Sequence, residues 1–384
     1  MNRNRIFLSE PHASGRELAY IKEAFRLNLI TSGGQGVLGF EEDLERFLNS
    51  ELLVCATNSG TSALHLGLLL LGVQAGDEVL CQTFTFSASV NPIFYCGATP
   101  VFVDSESLTW NMCPDALETA IKDRIQQGKK PKAIVVVDSY GMPFQAARIT
   151  AIAQAYAIPI LEDSAEALGS QYKNRPCGTL GDLGIFSFNG NKIITTSSGG
   201  ALLVRNDLQK AKASFLASQA REPAFHYQHH EIGYNYSMSA IAAAVGRGQL
   251  EVVSDRIQAR RSHHFFYENM FAAVDGITVF SEPNADFFSN YWLTTILIDA
   301  EKTNGLTPEL FRLFLEEKGI ESRHLWKPMH QQPVFCAYPY YGGQVAKSLF
   351  EKGLCLPSSS SLDEESKNTI QFCVFQLLAQ YNCL

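Results

Sequence analysis

The chain has 384 residues, 46% of them hydrophobic and 18% charged, which excludes disordered and fibrous classes and gives about two or three domains. Thirty-one Lys and Arg against 39 Asp and Glu leave a net charge of −8, so no general positive field is available for nucleic acid. The nine cysteines are odd in number, scattered and never spaced C-x-x-C, against both a disulfide framework and a zinc cluster and in keeping with a reducing compartment.

In chain order, residues 1–15 lack the apolar stretch of a signal peptide. The amphipathic pattern RELAYIKEAFRLNL (16–29) predicts a helix. Gly34-Gln35-Gly36-Val37-Leu38-Gly39 then fits G-x-G-x-x-G, with a helix-like FEEDLERFL behind it. A dinucleotide site needs a strand in front of these glycines, and a helix stands there instead. The glycines therefore read as a flexible loop between helices.

From about Gly60 to Val204, helix-like and strand-like stretches alternate. A helix is expected from Thr61, strands at Glu78–Gln82 and Pro100–Val103, and a buried strand AIVVVD from Ala133. A helix follows from Phe144, then strands IPILED from Ile158, GIFSF and GALLV. Short apolar β-branched runs separated by helices predict a mainly parallel sheet covered on both faces. The most apolar run, Leu64 to Val73, is roughly half the length that crosses a bilayer, so a soluble cytoplasmic protein is expected. Beyond Ser239 a long helical stretch, Ala240 to Phe271, leads into a strand YWLTTILID. A helix opened by Thr307-Pro308, a strand near Ile320 and a helix after Leu362 complete an α+β region. The expected division is a large α/β domain over 1–245 and a smaller one over 246–384, with the long helix as hinge.

Four features stand at predicted strand ends. Asn58-Ser59-Gly60-Thr61-Ser62 opens a helix, and such termini either bind anions or are simply capped. Phe86, in Thr83-Phe84-Thr85-Phe86, is either core or the cover of a flat ligand. Asp163, after the strand IPIL, either caps the next helix or pairs with a cationic ring nitrogen. Lys192, after Phe188-Asn189-Gly190-Asn191, is either a solvated loop lysine or an amine held at the sheet's carboxyl edge. An anion cradle, an aromatic cover, an acid and a lysine in one α/β domain are the parts that pyridoxal phosphate requires. His226, His229 and His230 cluster in sequence without carboxylate or cysteine spacing, so no metal is expected.

The chain resembles the DegT/DnrJ/EryC1/StrS family of sugar aminotransferases, which have the aspartate aminotransferase (fold type I) architecture. The most specific stretches are SGTSALHLGL, TFTFSASVNPI, EDSAEALGS, GTLGDLGIFSFNGNKIITTSSGGALLV, GYNYSMS and LWKPMHQQP, spread over nearly the whole chain. The resemblance implies that Lys192 carries pyridoxal phosphate, Asp163 pairs with its ring nitrogen and Phe86 stacks on the ring. Thr61, Ser62 and Ser187 would bind the phosphate, with Gly60 allowing close approach. Asn235 would reach the phosphate of a neighbouring subunit, making a homodimer with shared sites.

Glu166 falls where the family often has Gln or His beside the cofactor's phenolic oxygen. Ser237 stands where relatives commonly place Arg, and His324 where Pro is usual. Thr31, Lys327 and His330 read equally as sugar-nucleotide contacts or as domain packing. The implied reaction moves an amino group from L-glutamate to a nucleotide-linked keto-deoxysugar, UDP-linked among the options, for a surface glycan or lipopolysaccharide. A sugar dehydratase on the same scaffold, in which histidine replaces the lysine, is opposed by Lys192. A non-catalytic nucleotide-sugar-binding protein is the reading from another class, and uptake of a coloured cofactor discriminates it.

Overall fold

The computed structural model describes residues 5–383. Its first strands are β1 (Leu53–Thr57), β2 (Glu78–Gln82), β3 (Thr99–Val103), β4 (Ala133–Val137) and β5 (Ile160–Asp163). Next come β6 (Gln171–Tyr172), β7 (Arg175–Pro176), β8 (Leu183–Ser187), β9 (Gly200–Val204) and β10 (Ile277–Val279). The last are β11 (Phe287–Phe288), β12 (Thr294–Ile298), β13 (Arg323–His324), β14 (Tyr340–Tyr341) and β15 (Gly353–Leu356).

Eight of these form one sheet in the order β1-β9-β8-β5-β4-β2-β3-β14. Within it only β9 runs against its neighbours, and every other adjacent pair from β8 to β14 is parallel. Side chains alternate across the strands, so Val79, Cys81 and Val135 pack on one face with Ala63, Leu64 and Leu66 of the helix Gly60–Leu70. Leu80, Ile134 and Val136 pack on the other with Leu117, Ile121 and Ile149. Burial on both faces explains why these strands read as continuous apolar runs. The outer strand β1 is not left open. Glu45 and Glu41, one turn apart on the helix Gln35–Leu48, accept the amides of Val54 and Ala56, each at 2.8 Å.

A second, antiparallel sheet has the order β10-β12-β15-β13. The helix Pro308–Glu317 covers it and starts where Thr307 accepts the Leu310 amide. The expected strand near Ile320 lies three residues later, at β13, and Ile320 itself bridges to Ile6. The two parts interlace. Ile6 and Leu8 bond to Gly319, Glu321 and Ser358, while β14 crosses back to pair with β3. No helix among the described residues is long and apolar enough to cross a membrane.

The helical stretch from Ala240 is two helices, Ala240–Leu250 and Val253–Phe271, with β-branched Val252 and Val253 at the break. Residue 245 falls inside the first, which packs on the helices Glu17–Arg26 and Gln35–Leu48.

The glycine-rich loop expectation is corrected. Gly34 is the N-cap of the helix Gln35–Leu48, in the left-handed region at φ 67°, but Gly36 and Gly39 lie inside that helix. A Cβ on Gly36 would sit 2.6 Å from the Ala240 Cβ, and one on Gly39 would sit 2.8 Å from Arg247 Nη1. Their spacing permits a close helix crossing. Gly36→Val is expected to cost about 1–3 kcal/mol by overpacking, read as a lower urea midpoint. An unchanged midpoint would show that the crossing tolerates bulk.

Candidate active site

The carboxyl ends of β1, β2, β5 and β8 meet at one edge of the large sheet, where open α/β sheets bind ligands. Residues just beyond them line a cavity of about 560 Å³. The chain turns from β1 into the helix Gly60–Leu70 at Ser59, whose Oγ accepts the Ser62 amide at 3.1 Å. The other amides of this first turn lack intrahelical acceptors, so the wall suits an anion. Gly60 is required here, because a Cβ would come within 2.9 Å of the Ser187 Cβ.

Ser59, Gly60, Thr61 and Ser187 line the cavity. Ser62 does not. Its hydroxyl turns back to Asn58 Oδ1 at 2.6 Å and Ser59 Oγ at 2.8 Å, so it completes the cap. The helix starts one residue before the expected Thr61 for the same reason.

Opposite stands Asp163, only 4% exposed at the end of β5. Ser89 donates to its Oδ2 at 2.7 Å, Thr85 pairs with Ser89 at 2.7 Å, and the Ala165 amide donates to Oδ1 at 3.2 Å. Burial pushes the Asp163 carboxyl above the usual range, against the opposing pull of Ser89, the Ala165 amide and Lys192.

Lys192 sits in the loop after β8. Its Nζ lies 3.5 Å from Glu166 Oε1 and 4.2 Å from the centroid of the Trp292 ring. Burial also raises the Glu166 carboxyl, opposed by Lys192 and by the Tyr140 amide, which donates to Oε2 at 2.7 Å. Tyr140 takes a left-handed backbone, φ 57°, to deliver that bond. Its ring clusters with those of Trp292 and Trp326, all three centroids about 6 Å from one another, and its hydroxyl accepts the Trp326 amide at 2.8 Å.

The lysine loop is anchored from behind by Arg260. This wholly buried guanidinium bonds to the carbonyls of Trp292, Ser358 and Lys192 and to Ser9 Oγ. Phe86, 54% exposed, presents its ring to the cavity 5.4 Å from the Trp326 centroid.

Lys192, Asp163, Glu166, Phe86, Gly60, Thr61 and Ser187 thus come together around one space. The other candidates do not line it. The Asn235 carbonyl accepts Asn58 Nδ2 at 2.9 Å, and Asn235 bridges to Ser218. The Thr31 carbonyl accepts the Ala240 amide. His330 bonds Thr83 Oγ1 at 2.8 Å and stacks on Tyr340, and neither it nor Lys327 lines this cavity. From that stretch Arg323 and Trp326 line the cavity instead.

His324 turns away to Glu309 at 2.9 Å, and Ser237 bonds the Ala217 carbonyl. His226, His229 and His230 are exposed and pair with Gln228, the Gln219 carbonyl and Glu222. Sequence reasoning missed Ser89, Trp292, Trp326 and Arg323. Ser89, in the short turn Ser87–Ser89, carries no local signal, and Trp292 reads as the start of a strand.

The profile of the DegT/DnrJ/EryC1/StrS aminotransferase family matches residues 11–374. The chain belongs to this family. EpsN of Bacillus subtilis, whose name assigns it as a pyridoxal phosphate-dependent aminotransferase, is 48% identical over 370 residues, 95% of this chain and 94% of EpsN. GDP-perosamine synthase of Escherichia coli O157:H7 is 35% identical over 356 residues, 93% of this chain and 94% of that enzyme. Among solved structures, Helicobacter pylori PseC, an aminotransferase involved in the biosynthesis of pseudoaminic acid, superposes with a TM-score of 0.88. It is 26% identical and is covered in full by 98% of this chain. Solved structures of such aminotransferases superpose on nearly the whole chain, including its large mixed sheet, so the fold type I expectation holds.

Proposed function

We propose that this chain is a pyridoxal phosphate-dependent aminotransferase that moves an amino group from L-glutamate to a nucleotide-linked keto-deoxysugar. The observation that carries the reading is the meeting of Lys192 with the buried Asp163 in one cavity walled by a helix N-terminus. The residues fit the cofactor's four chemical demands. The first-turn amides of the helix, with Thr61 and Ser187, suit the phosphate; the Gly60 contact leaves no room for a side chain between them. Ser62 supports that wall through its cap. Lys192 offers the amine for the aldehyde, Asp163 an anion for the ring nitrogen, and Phe86 a flat cover.

Bound there, pyridoxal phosphate supplies an electron-accepting ring and a carrier for the amino group. The protein supplies the proton handling. Lys192 Nζ, when free, is the base that takes the donor's α-proton. Asp163, oriented by Ser89, holds a proton on the ring nitrogen. The aromatic wall of Trp292, Trp326 and Tyr140 keeps water from Lys192.

The sugar-nucleotide assignment draws on the names of GDP-perosamine synthase and PseC, and a 4-keto-6-deoxyhexose bound to GDP or UDP is the acceptor class. A surface glycan or lipopolysaccharide is the proposed destination, and the cytoplasm the proposed compartment. Asn235 would serve the phosphate of a second copy. The exposed apolar side chains Leu18, Phe25 and Ile30 near the N-terminus support such a homodimer.

The test is spectroscopic. The purified protein is expected to be yellow, to bleach with L-glutamate, and to regain colour with one member of a panel of GDP- and UDP-linked 4-keto-6-deoxysugars. A protein that takes up no pyridoxal phosphate overturns the reading. Colour that returns only with free keto acids removes the sugar acceptor.

A further inference from the structure

In the loop between β8 and β9, the peptide units on both sides of Lys192 are held. The Lys192 amide donates to the Asn189 carbonyl at 3.1 Å. Across the same peptide, the Asn191 carbonyl accepts Ser9 Oγ at 2.8 Å and Trp292 Nε1 at 2.6 Å, so both of its lone pairs are taken. The Lys192 carbonyl accepts Arg260 Nη2 at 3.4 Å. With the planes before and after it fixed, the φ and ψ of Lys192 are fixed too, and so is the direction of its Cα–Cβ bond. On the lysine's part this is backbone bonding alone, independent of whether Nζ is free or joined to a cofactor.

Among the described residues, every donor to these two carbonyls comes from outside the large sheet. Ser9 belongs to the N-terminal segment, which lies against the second domain. The Leu8 amide donates to Glu321 Oε2 at 3.0 Å, the Leu8 carbonyl accepts the Ser358 amide at 2.8 Å, and Glu10 Oε1 accepts Ser361 Oγ at 2.8 Å. The chain is thus pinned on both sides of Ser9. Donor chemistry then sets the direction of its own bonds. Arg260 Nη2, 3.0 Å from Ser9 Oγ, can only donate, so the hydroxyl accepts there and its one proton goes to Asn191. A buried guanidinium thereby polarises the hydroxyl that grips the lysine loop.

We propose that Ser9 is a positioning residue for Lys192, passing the hold of Arg260 to the peptide from which the lysine side chain springs. A long flexible stem loses its aim when its root tilts, and a small misplacement of Nζ from the reacting carbon is costly in rate. The N-terminal segment is then a working wall of the site, since Leu8 and Ser9 both line the cavity. The role rests on the aminotransferase reading, whereas the clamp on the loop belongs to the chain alone.

Ser9→Ala removes the hydroxyl and Ser9→Thr keeps it. Ser9 is half-buried, so both variants are expected to fold and to melt with the wild type. In the full chain without pyridoxal phosphate, amide hydrogen exchange is followed by mass spectrometry. Residues 189–193 are expected to exchange about tenfold faster in Ser9→Ala than in the wild type, with β4 unchanged. In the holoenzyme, Ser9→Ala is expected to lower kcat about tenfold and to leave the KM for L-glutamate unchanged. Ser9→Thr should match the wild type in both measurements.

Exchange or kcat in Ser9→Ala equal to the wild type overturns the proposal. So does a fall in melting midpoint that accounts for the lost turnover, which would mark Ser9 as a residue of the fold only. Ser9→Thr behaving like Ser9→Ala overturns it as well, by assigning the effect to shape rather than to the hydroxyl. A chain that takes up no pyridoxal phosphate yet shows the faster exchange removes the aminotransferase reading and leaves the clamp standing.

Discussion

Lys192→Ala is expected to leave a folded chain whose turnover is lower by about four orders of magnitude or more, because one side chain both carries the cofactor and moves the proton. The fold should survive. The lysine lies in a loop whose backbone is held by Arg260, and Trp292 Nε1 donates to the neighbouring Asn191 carbonyl at 2.6 Å. None of these bonds uses the lysine side chain. Removing the ammonium leaves Glu166 and Asp163 buried without their cation, and both would then hold a proton more tightly, since Lys192 is the chief opposing influence on Glu166 and adds to those of Ser89 and the Ala165 amide on Asp163. The measurement is absorbance during the half-reaction with L-glutamate, with a small primary amine added as a free replacement for the side chain. Partial recovery by the amine would mark the loss as chemical. Bleaching by L-glutamate at the wild-type rate without added amine would remove Lys192 from the reaction.

Asp163→Asn is expected to lower turnover by roughly two to four orders of magnitude, by removing the fixed anion from a buried site. Its effect on stability should run the opposite way in the cofactor-free protein. The folded carboxyl binds its proton more tightly than the unfolded one, because burial is the largest influence on it. For an acid with a raised folded pKa, stability is fully present at pH below the unfolded value. It declines as pH rises toward the folded value, beyond which the anion is buried at full cost. The neutral amide does not titrate. The variant without cofactor should therefore melt above the wild type at neutral pH, and the gap should close on acidification below the ordinary carboxylate range. Thermal melts across pH check this. A variant less stable than the wild type at neutral pH would mean that the bonds from Ser89 and Ala165 outweigh the desolvation. Activity lost alongside stability gained is the usual trade at a functional site.

The strand ends were legible because each carries a local mark. β4 reads AIVVV and is buried throughout, and a carboxylate following an apolar strand or a lysine following a Gly-Asn turn stands out within a few residues. Orientation was less accessible. GALLV has the same apolar texture whichever way it runs, so the reversal at β9 appears only in its pairing with β1 and β8.

What supports the site comes from far along the chain. Ser89 lies 74 residues before its partner Asp163, and the Trp292 indole lies 101 residues beyond the Asn191 carbonyl it bonds. No periodicity joins such pairs. The sequence offers Gly36 and Gly39 a loop once no strand precedes them, and only the crossing helix at Ala240 and Arg247 accounts for their place inside a helix. The family resemblance puts Ser62 at the phosphate, whereas its hydroxyl here turns to Asn58 and Ser59. Its direction is set by the cap with Ser59, which spacing alone does not reveal.

The interlacing of the two parts has a consequence for biosynthesis. During translation, the amide of Leu8 must wait for Glu321, 313 residues later, and the outer edge of β3 stays unpaired until Tyr340 and Tyr341 have emerged. Neither part can be finished before the other, so domain-by-domain maturation is closed to this chain. An open, apolar strand edge would be displayed by every nascent molecule for most of its synthesis. The helix Gln35–Leu48 protects the opposite edge early, since Glu41 and Glu45 precede β1 on the ribosome. The two flanks of one sheet thus face the crowded cell on very different schedules, one sealed almost at once and the other open until nearly the last.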